Sequence, residues 1–257
     1  MVNQNTFNWD CTNKDLVIYV PNFGRKNLLV PTLKRFMTTV PDNKWMWLVV
    51  NDGKHEDLSD LESEFNLRYF TFEREPANER NGCKLRNFII RRAKSRLLGT
   101  KDPEIIIDGS FIENCININD NQVYRPGSMT EFHECDTQKI LDDPNMDLSR
   151  LQILRYWDIN NIRLEGFHAG CVISTEMLNR FNGYDERYKD SYGFEDHCLL
   201  RRFKANGADI IIDKTVQTYH IAHPIIRKFH RTIISNESIY KKQEMKVNMG
   251  IEWGTGI

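Results

Sequence analysis

Short apolar runs alternate with stretches of helical spacing along most of this chain. Leu16-Val17-Ile18-Tyr19-Val20 is a continuous run of strand length ended by Pro21-Asn22-Phe23-Gly24-Arg25, and Leu28, Leu29, Leu33 and Phe36 follow at helical intervals. A second run, Trp45 to Val50, ends in Asn51-Asp52-Gly53, and a third spans Leu67 to Phe72. Leu85, Phe88, Ile89 and Ala93 mark another helix, and a fourth run, Glu104 to Ile107, ends in Asp108-Gly109-Ser110. Runs that are apolar throughout are buried on both faces, the pattern of a largely parallel sheet covered by helices. Ligands bind such sheets beyond the carboxyl ends of their strands, so 21–25, 51–53 and 108–110 are predicted to meet at one crevice.

The second half is less regular. Residues 111–165 are polar, without clear period, and rich in turn residues. Gly166 to Ser174 reads as a glycine-bounded approach to a short strand, with a helix from Thr175 to Phe181 behind it. Leu199, Leu200, Phe203 and Ala205, stopped at Gly207, mark a helix whose first turn carries Glu195 and Asp196 after Tyr192-Gly193-Phe194. Exposed N–H groups and the helix dipole favour ionised carboxylates there, and an ionised acid beside a glycine loop suits a general base for an alcohol. A final strand, Asp209 to Asp213, leads to Tyr219-His220-Ile221-Ala222-His223. From about Arg227 the chain is a basic tail with interspersed aromatics, able to pack on the core, line an acceptor groove or touch a membrane surface.

Composition narrows the picture. A chain of 257 residues with 40% hydrophobic content builds a full core, which excludes a disordered protein. A net charge of -1 supplies no general field for nucleic acid, and the local run Arg91-Arg92-Ala93-Lys94-Ser95-Arg96 reads as a solvated helix face. The six cysteines are dispersed, with no CxxC pair, which disfavours a zinc site or a disulfide framework and points to reduced thiols in a cytoplasmic setting. No apolar stretch approaches membrane-spanning length and the first ten residues are polar, so neither a span nor a secretory signal is expected.

Six landmarks in order resemble nucleotide-sugar glycosyltransferases of the GT-A fold, in particular family 2: Val20 to Arg25, Val49 to Gly53, Gly82 through Arg86-Asn87, Asp108, Gly166 to Ser174 with Asn182 to Asp185, and Gly193-Phe194-Glu195-Asp196. The last is similar to the Gly-aromatic-Glu-Asp element of galactosyl- and N-acetylhexosaminyl-transferases. The resemblance implies a Rossmann-like α/β domain over 1–226, with a mostly parallel central sheet flanked by helices and a small second sheet. Its nucleotide-binding half would cover about 16–108, its acceptor half 109–226, and a basic tail 227–257.

The resemblance also implies roles. Asp52 would meet the uracil of a UDP-sugar between Pro21 and Phe23, and Arg25 would reach the base or diphosphate. Arg86 and Asn87 fall where such enzymes hold the donor, and His168 would touch the donor sugar or a phosphate. Asp196 would be the base of an inverting displacement onto a glycan or glycoconjugate hydroxyl, with Glu195 bonding a substrate hydroxyl. The usual Asp-x-Asp element holds Mn²⁺ or Mg²⁺, but here Ser110 stands in the second position, so Asp108 would need His220 or His223 to complete a metal site, or would contact only ribose or sugar. Trp157, Tyr192 and Phe194 are candidates for stacking on sugar rings. A catalytically silent binding domain, supported by Ser110, and a sugar nucleotidyltransferase are the alternatives.

Overall fold

The computed structural model describes residues 4–53, 56–73, 81–158, 166, 169–188, 193–223, 230–249 and 252–254. Its strands are β1 (Leu16–Asn22), β2 (Trp45–Asp52), β3 (Leu67–Phe72), β4 (Leu97–Thr100), β5 (Ile105–Asp108), β6 (Gln122–Phe132), β7 (Ile153–Asp158), β8 (Cys171–Ser174) and β9 (Asp209–His220). They join one sheet in the order β3-β2-β1-β4-β8-β6-β9-β5, with β7 beside β6. The first four are mutually parallel.

Helices cover both faces of the parallel part. They are α1 (Lys26–Arg35), α2 (Ser59–Glu64), α3 (Gly82–Arg92), α4 (Phe111–Cys115), α5 (Thr137–Asp142), α6 (Thr175–Arg180), α7 (Glu195–Ala205) and α8 (His230–Lys241). Strand alternation divides the core: Val17 and Tyr19 of β1 pack with Leu85 and Phe88 of α3 and Leu199 and Phe203 of α7. Leu16, Ile18 and Val20 face the other way, toward Leu29 and Leu33 of α1 and Phe111 of α4. With both faces buried, nothing along the strand needs to be polar, which is why these runs are continuously apolar.

The sheet curls at a bulge. Residues 122–126 of β6 pair with 209–213 of β9, and 128–131 pair with 217–220, with the register shifting between Pro126 and Ser128. A Cβ on Gly127 would lie 2.8 Å from both the Asp213 carbonyl oxygen and the Lys214 Cα, so the two backbones approach closely only because the residue is glycine. Beyond the bulge, β7, the far half of β6, the far half of β9 and β5 form the small second sheet. The expected α/β architecture with a smaller second sheet is what the chain adopts.

Two expectations need correction. The fourth apolar run is not a central parallel strand; it is β5, antiparallel to β9 at the sheet's edge. The strand beside β1 is β4, whose four residues contain a glycine that packs against Ile18 and Val172. Its carboxyl end leads to Lys101-Asp102-Pro103-Glu104, so the acids presented at the crevice are different ones. The tail beyond 226 packs on the core, one of the options its sequence offered: Trp253 is buried in the α3/α7 core, and Asn248 Nδ2 donates to the carbonyls of Asn182 and Tyr184 at 2.8 Å each. That packing uses the tail aromatics Trp253, which is buried, and Tyr240, which is partly buried. The basic run is likewise partly structural: the Arg91 guanidinium lies 5.0 Å from the Trp253 ring centroid, Arg92 donates to the Gly254 carbonyl at 2.7 Å, and Arg96 donates to the Ile118 carbonyl at 2.9 Å.

Candidate active site

Two polar clusters lie at the carboxyl side of the parallel strands. The first begins at Gly193 and Phe194, both with positive φ (87° and 72°), a conformation that an aromatic residue adopts only under strain of about 1–3 kcal/mol. The reversal ends the loop and starts α7, so Glu195 and Asp196 occupy its first turn without a side-chain cap. Phe194 is held in place by stacking on Tyr240 of α8, centroid to centroid 5.3 Å.

Arg86 comes from α3 into the same space. Its Nη1 lies 3.9 Å from Glu195 Oε1, and its guanidinium is 5.3 Å from the Tyr184 ring centroid. Beneath them the hydroxyls of Tyr19 and Tyr184 are 3.3 Å apart. Burial pushes the Asp196 carboxyl well above its usual range, and the neighbouring Glu195 charge adds to this while Arg86 opposes it. Glu195 is raised by burial against the pull of Arg86. The helix dipole therefore does not set the ionisation of this pair; desolvation outweighs it. Among the described residues, Arg86 Nε, Glu195 Oε2 and Asp196 Oδ1 are buried with no hydrogen-bond partner, a costly state for three polar atoms in one place and one that a bound polar ligand relieves.

The second cluster is built on Glu104, which is buried at the start of β5. Antiparallel pairing sets Ile105 opposite His220, and Ile221 N donates to the Glu104 carbonyl at 3.0 Å, so the two histidines arrive beside the carboxylate. Glu104 Oε1 lies 3.0 Å from His223 Nε2 and 3.8 Å from His220 Nε2. The same oxygen accepts a 2.6 Å hydrogen bond from Arg25 Nη1. Burial alone would raise the Glu104 carboxyl, but the His223 hydrogen bond and the Arg25 charge bring it down to about 2. His220 is pushed below its usual value by burial, partly offset by Glu104. One ligand atom from each of Glu104, His220 and His223 can be chosen so that all lie within 4.8 Å of one another. Glu104 Oε2 and His220 Nδ1 are buried without a partner among the described residues. One anionic oxygen donor with two imidazoles fits a first-row divalent cation, Mn²⁺ among them.

Asp102 stands within electrostatic range of both clusters. Burial raises its carboxyl, and it feels Glu104, Arg86, His220 and Arg25 together. The turn that carries it is anchored from below: Lys101 is fully buried, donates from Nζ to Thr32 Oγ1 at 2.8 Å, and is pushed down by burial to about 7. Thr32 Oγ1 also reaches the Pro103 carbonyl at 3.1 Å.

The nucleotide-side expectations divide. Asp52 ends β2 and is buried, and the adjoining loop is tied by Asn22, which donates to Asn51 Oδ1 at 2.9 Å and to Glu56 Oε2 at 2.6 Å. Pro21 is half-buried and Phe23 exposed on that rim. Asn87 is fully buried with its amide engaged inside the fold: it accepts from Tyr184 N at 2.7 Å and donates to the Tyr184 carbonyl and Glu186 Oε1. Arg86 serves the carboxylate pair. Asp108 does not join the histidines; it pairs with Gln217 of β9, three residues and about 10 Å along the strand from His220's partner. Its side chain is half exposed, 3.9 Å from Arg35. His168 and Tyr192 lie outside the described residues, and Trp157 is buried on β7.

No protein-family model matches the chain, and no curated protein matches it. Among solved structures, S. aureus TarS superposes with a TM-score of 0.61 at 14% identity, over 91% of this chain and 40% of that one. TarS 1-349 in complex with UDP gives 0.57 at 14%, over 91% and 66%. The mannosyltransferase PcManGT from Pyrobaculum calidifontis, in complex with GDP-Man and Mn²⁺, gives 0.54 at 13%, over 93% and 68%. The fold is a GT-A glycosyltransferase fold. On this GT-A frame the chain spans two fifths of the full TarS structure, and identities this low speak to architecture alone.

The sequence reading did not single out Asp102 or Glu104. A signal was present: an acid-x-acid triplet directly after a short apolar segment, Leu97-Leu98-Gly99-Thr100. Reading Glu104 as the first residue of a strand hid it.

Proposed function

We propose that this chain is an inverting glycosyltransferase that takes a sugar from a nucleotide-sugar, a UDP-sugar foremost, to a hydroxyl of a glycan or glycoconjugate. The observation that carries the proposal is a pair of clusters: the buried carboxylates Glu195 and Asp196 beside Arg86, with unpartnered polar atoms, and a Glu-His-His donor set at Glu104. Such a site can bind an anionic leaving group at one end and accept a proton at the other.

In this reading Asp196 takes the proton of the acceptor hydroxyl as that oxygen bonds to the anomeric carbon. The bond to the diphosphate oxygen breaks, and its electron pair leaves with the nucleoside diphosphate. One displacement inverts the anomeric centre. Glu195 orients a substrate hydroxyl, and Arg86 keeps the charge of the two acids balanced while the proton moves. Glu104, His220 and His223 would hold Mn²⁺ or Mg²⁺, which when bound neutralises charge on the departing diphosphate. Asp52 and the Pro21–Phe23 rim would receive the base. Ser110 no longer favours a silent domain, because the acid pair at 102 and 104 stands in the chain regardless of it.

Calorimetric titration with UDP, and with GDP as the comparison nucleotide, tests the donor side. UDP should bind more tightly with Mn²⁺ than without, Glu104→Gln should abolish that difference, and a folded Asp52→Ala protein should bind UDP at least tenfold more weakly. Absence of nucleoside diphosphate binding under any of these conditions would sink the reading.

A further inference from the structure

The metal-type cluster already contains a cation of the protein's own. Arg25 Nη1 sits 2.6 Å from Glu104 Oε1, the same oxygen that faces His223 at 3.0 Å and His220 at 3.8 Å. Three groups thus converge on one carboxylate oxygen, and the guanidinium is the closest of them.

The two partners differ in mobility and exposure. Glu104 is fixed at the start of β5, with its side chain 6% exposed, whereas the Arg25 side chain is 32% exposed and reaches in from the loop ahead of α1. That loop follows β1 through Gly24, at φ 64°, and its backbone is held by Arg25 N donating to Asn22 Oδ1 at 3.1 Å. The anchor is the backbone, so the side chain can swing about its own torsions without disturbing α1. Arg25 also lies on the β1 rim, next to the residues read above as the donor's seat.

We propose that Arg25 is a resident counter-cation of the Glu104–His220–His223 cluster, which excludes a divalent ion in the free protein and yields the seat when a nucleoside diphosphate offers the guanidinium a new anionic partner. This rests on the donor-binding reading above. Pairing with the guanidinium cancels the charge of the one carboxylate in the donor set, and an ion entering beside Arg25 meets like charge within a few ångströms. Two diphosphate oxygens match a guanidinium fork better than one shared carboxylate oxygen does, so the exchange is favourable once donor arrives. Removing Glu104's counter-cation leaves a buried carboxylate beside two imidazoles, which is a stronger cation site. The device makes metal and donor arrive together, and spares the free protein an open cation site.

Electron paramagnetic resonance of free Mn²⁺ measures this without turnover. Wild type, Arg25→Gln, Arg25→Lys and Arg25→Gln/Glu104→Gln are titrated with Mn²⁺ alone and with Mn²⁺ plus UDP, after circular dichroism confirms folding; Arg25→Met replaces the Gln variant if that one does not fold. Wild type should bind Mn²⁺ alone weakly and at least tenfold more tightly with UDP. Arg25→Gln should bind Mn²⁺ alone at least tenfold more tightly than wild type and gain less from UDP. Arg25→Lys, which keeps the charge, should stay weak, and the double variant should lose the gain. UDP-linked Mn²⁺ binding at Glu104 in wild type, with Arg25→Gln no tighter than wild type for Mn²⁺ alone, overturns the counter-cation while leaving the donor-binding reading intact. Absence of Mn²⁺ binding in every protein with UDP present overturns both the counter-cation and the metal site.

Discussion

Asp196 starts a helix, where a carboxylate ordinarily ionises readily, yet burial beside Glu195 and Asp102 holds its proton affinity high. A base must be deprotonated to work, so kcat/KM should rise with pH along a limb that lies above the ordinary carboxylate range of about 4. The stability sign follows from the same shift. A carboxyl whose pKa is raised by folding contributes stability at low pH that is lost as pH rises through the folded value. Asp196→Asn should therefore abolish transfer while leaving the protein at least as stable as wild type above that pH, by about 0.5–2 kcal/mol, as replaced functional groups often do. Thermal melts and pH-rate profiles on the two proteins check both halves. An acid limb near pH 4, or a marked loss of stability in the variant, would mean that the acid is a structural cap.

Elements were legible where one pattern governed them. β1 and β2 open with unbroken apolar runs because both faces are covered, β3 is apolar but for Arg68 and Thr71, and α7 shows its buried stripe at Leu199, Leu200 and Phe203 before it ends at Ala205, two residues ahead of Gly207. β4 was not legible, since four residues with a glycine carry too little periodicity and its burial comes from neighbours distant in sequence, Ile18 and Val172. The same gap left Asp102 and Glu104, which follow β4, unread beside Asp108. β6 and β7 were hidden within 111–165 because a bulged strand that leaves one sheet for another has no single inward face. Gly127 is where that transfer occurs. Gly127→Ala should cost about 1–3 kcal/mol or more, because the new methyl meets backbone on β9 rather than a side chain that can turn away. Urea unfolding gives the number; a change under 0.5 kcal/mol would show that the bulge relaxes freely.

At the scale of the whole molecule, the parallel core supplies the rim of Pro21, Phe23 and Asp52, the pairing of β5 with β9 brings the histidines to Glu104, and the C-terminal segment braces the start of α7 through Tyr240 and Phe194. No described helix is long and apolar enough to cross a membrane. The order of landmarks in sequence gave the architecture, whereas the union of Glu104 with His220 and His223, over a hundred residues apart, depends on strand pairing that no local pattern carries. The central claim is that these parts together transfer sugar from a nucleotide donor. It is tested most directly by incubating wild type and Asp196→Asn with a panel of UDP- and GDP-sugars in Mn²⁺, with oligosaccharide acceptors, and measuring nucleoside diphosphate release. The account predicts release from at least one donor by wild type, stimulated by an acceptor, and at least a hundredfold less from Asp196→Asn. No release from any donor by a protein that binds UDP, or equal release by the two proteins, would contradict it.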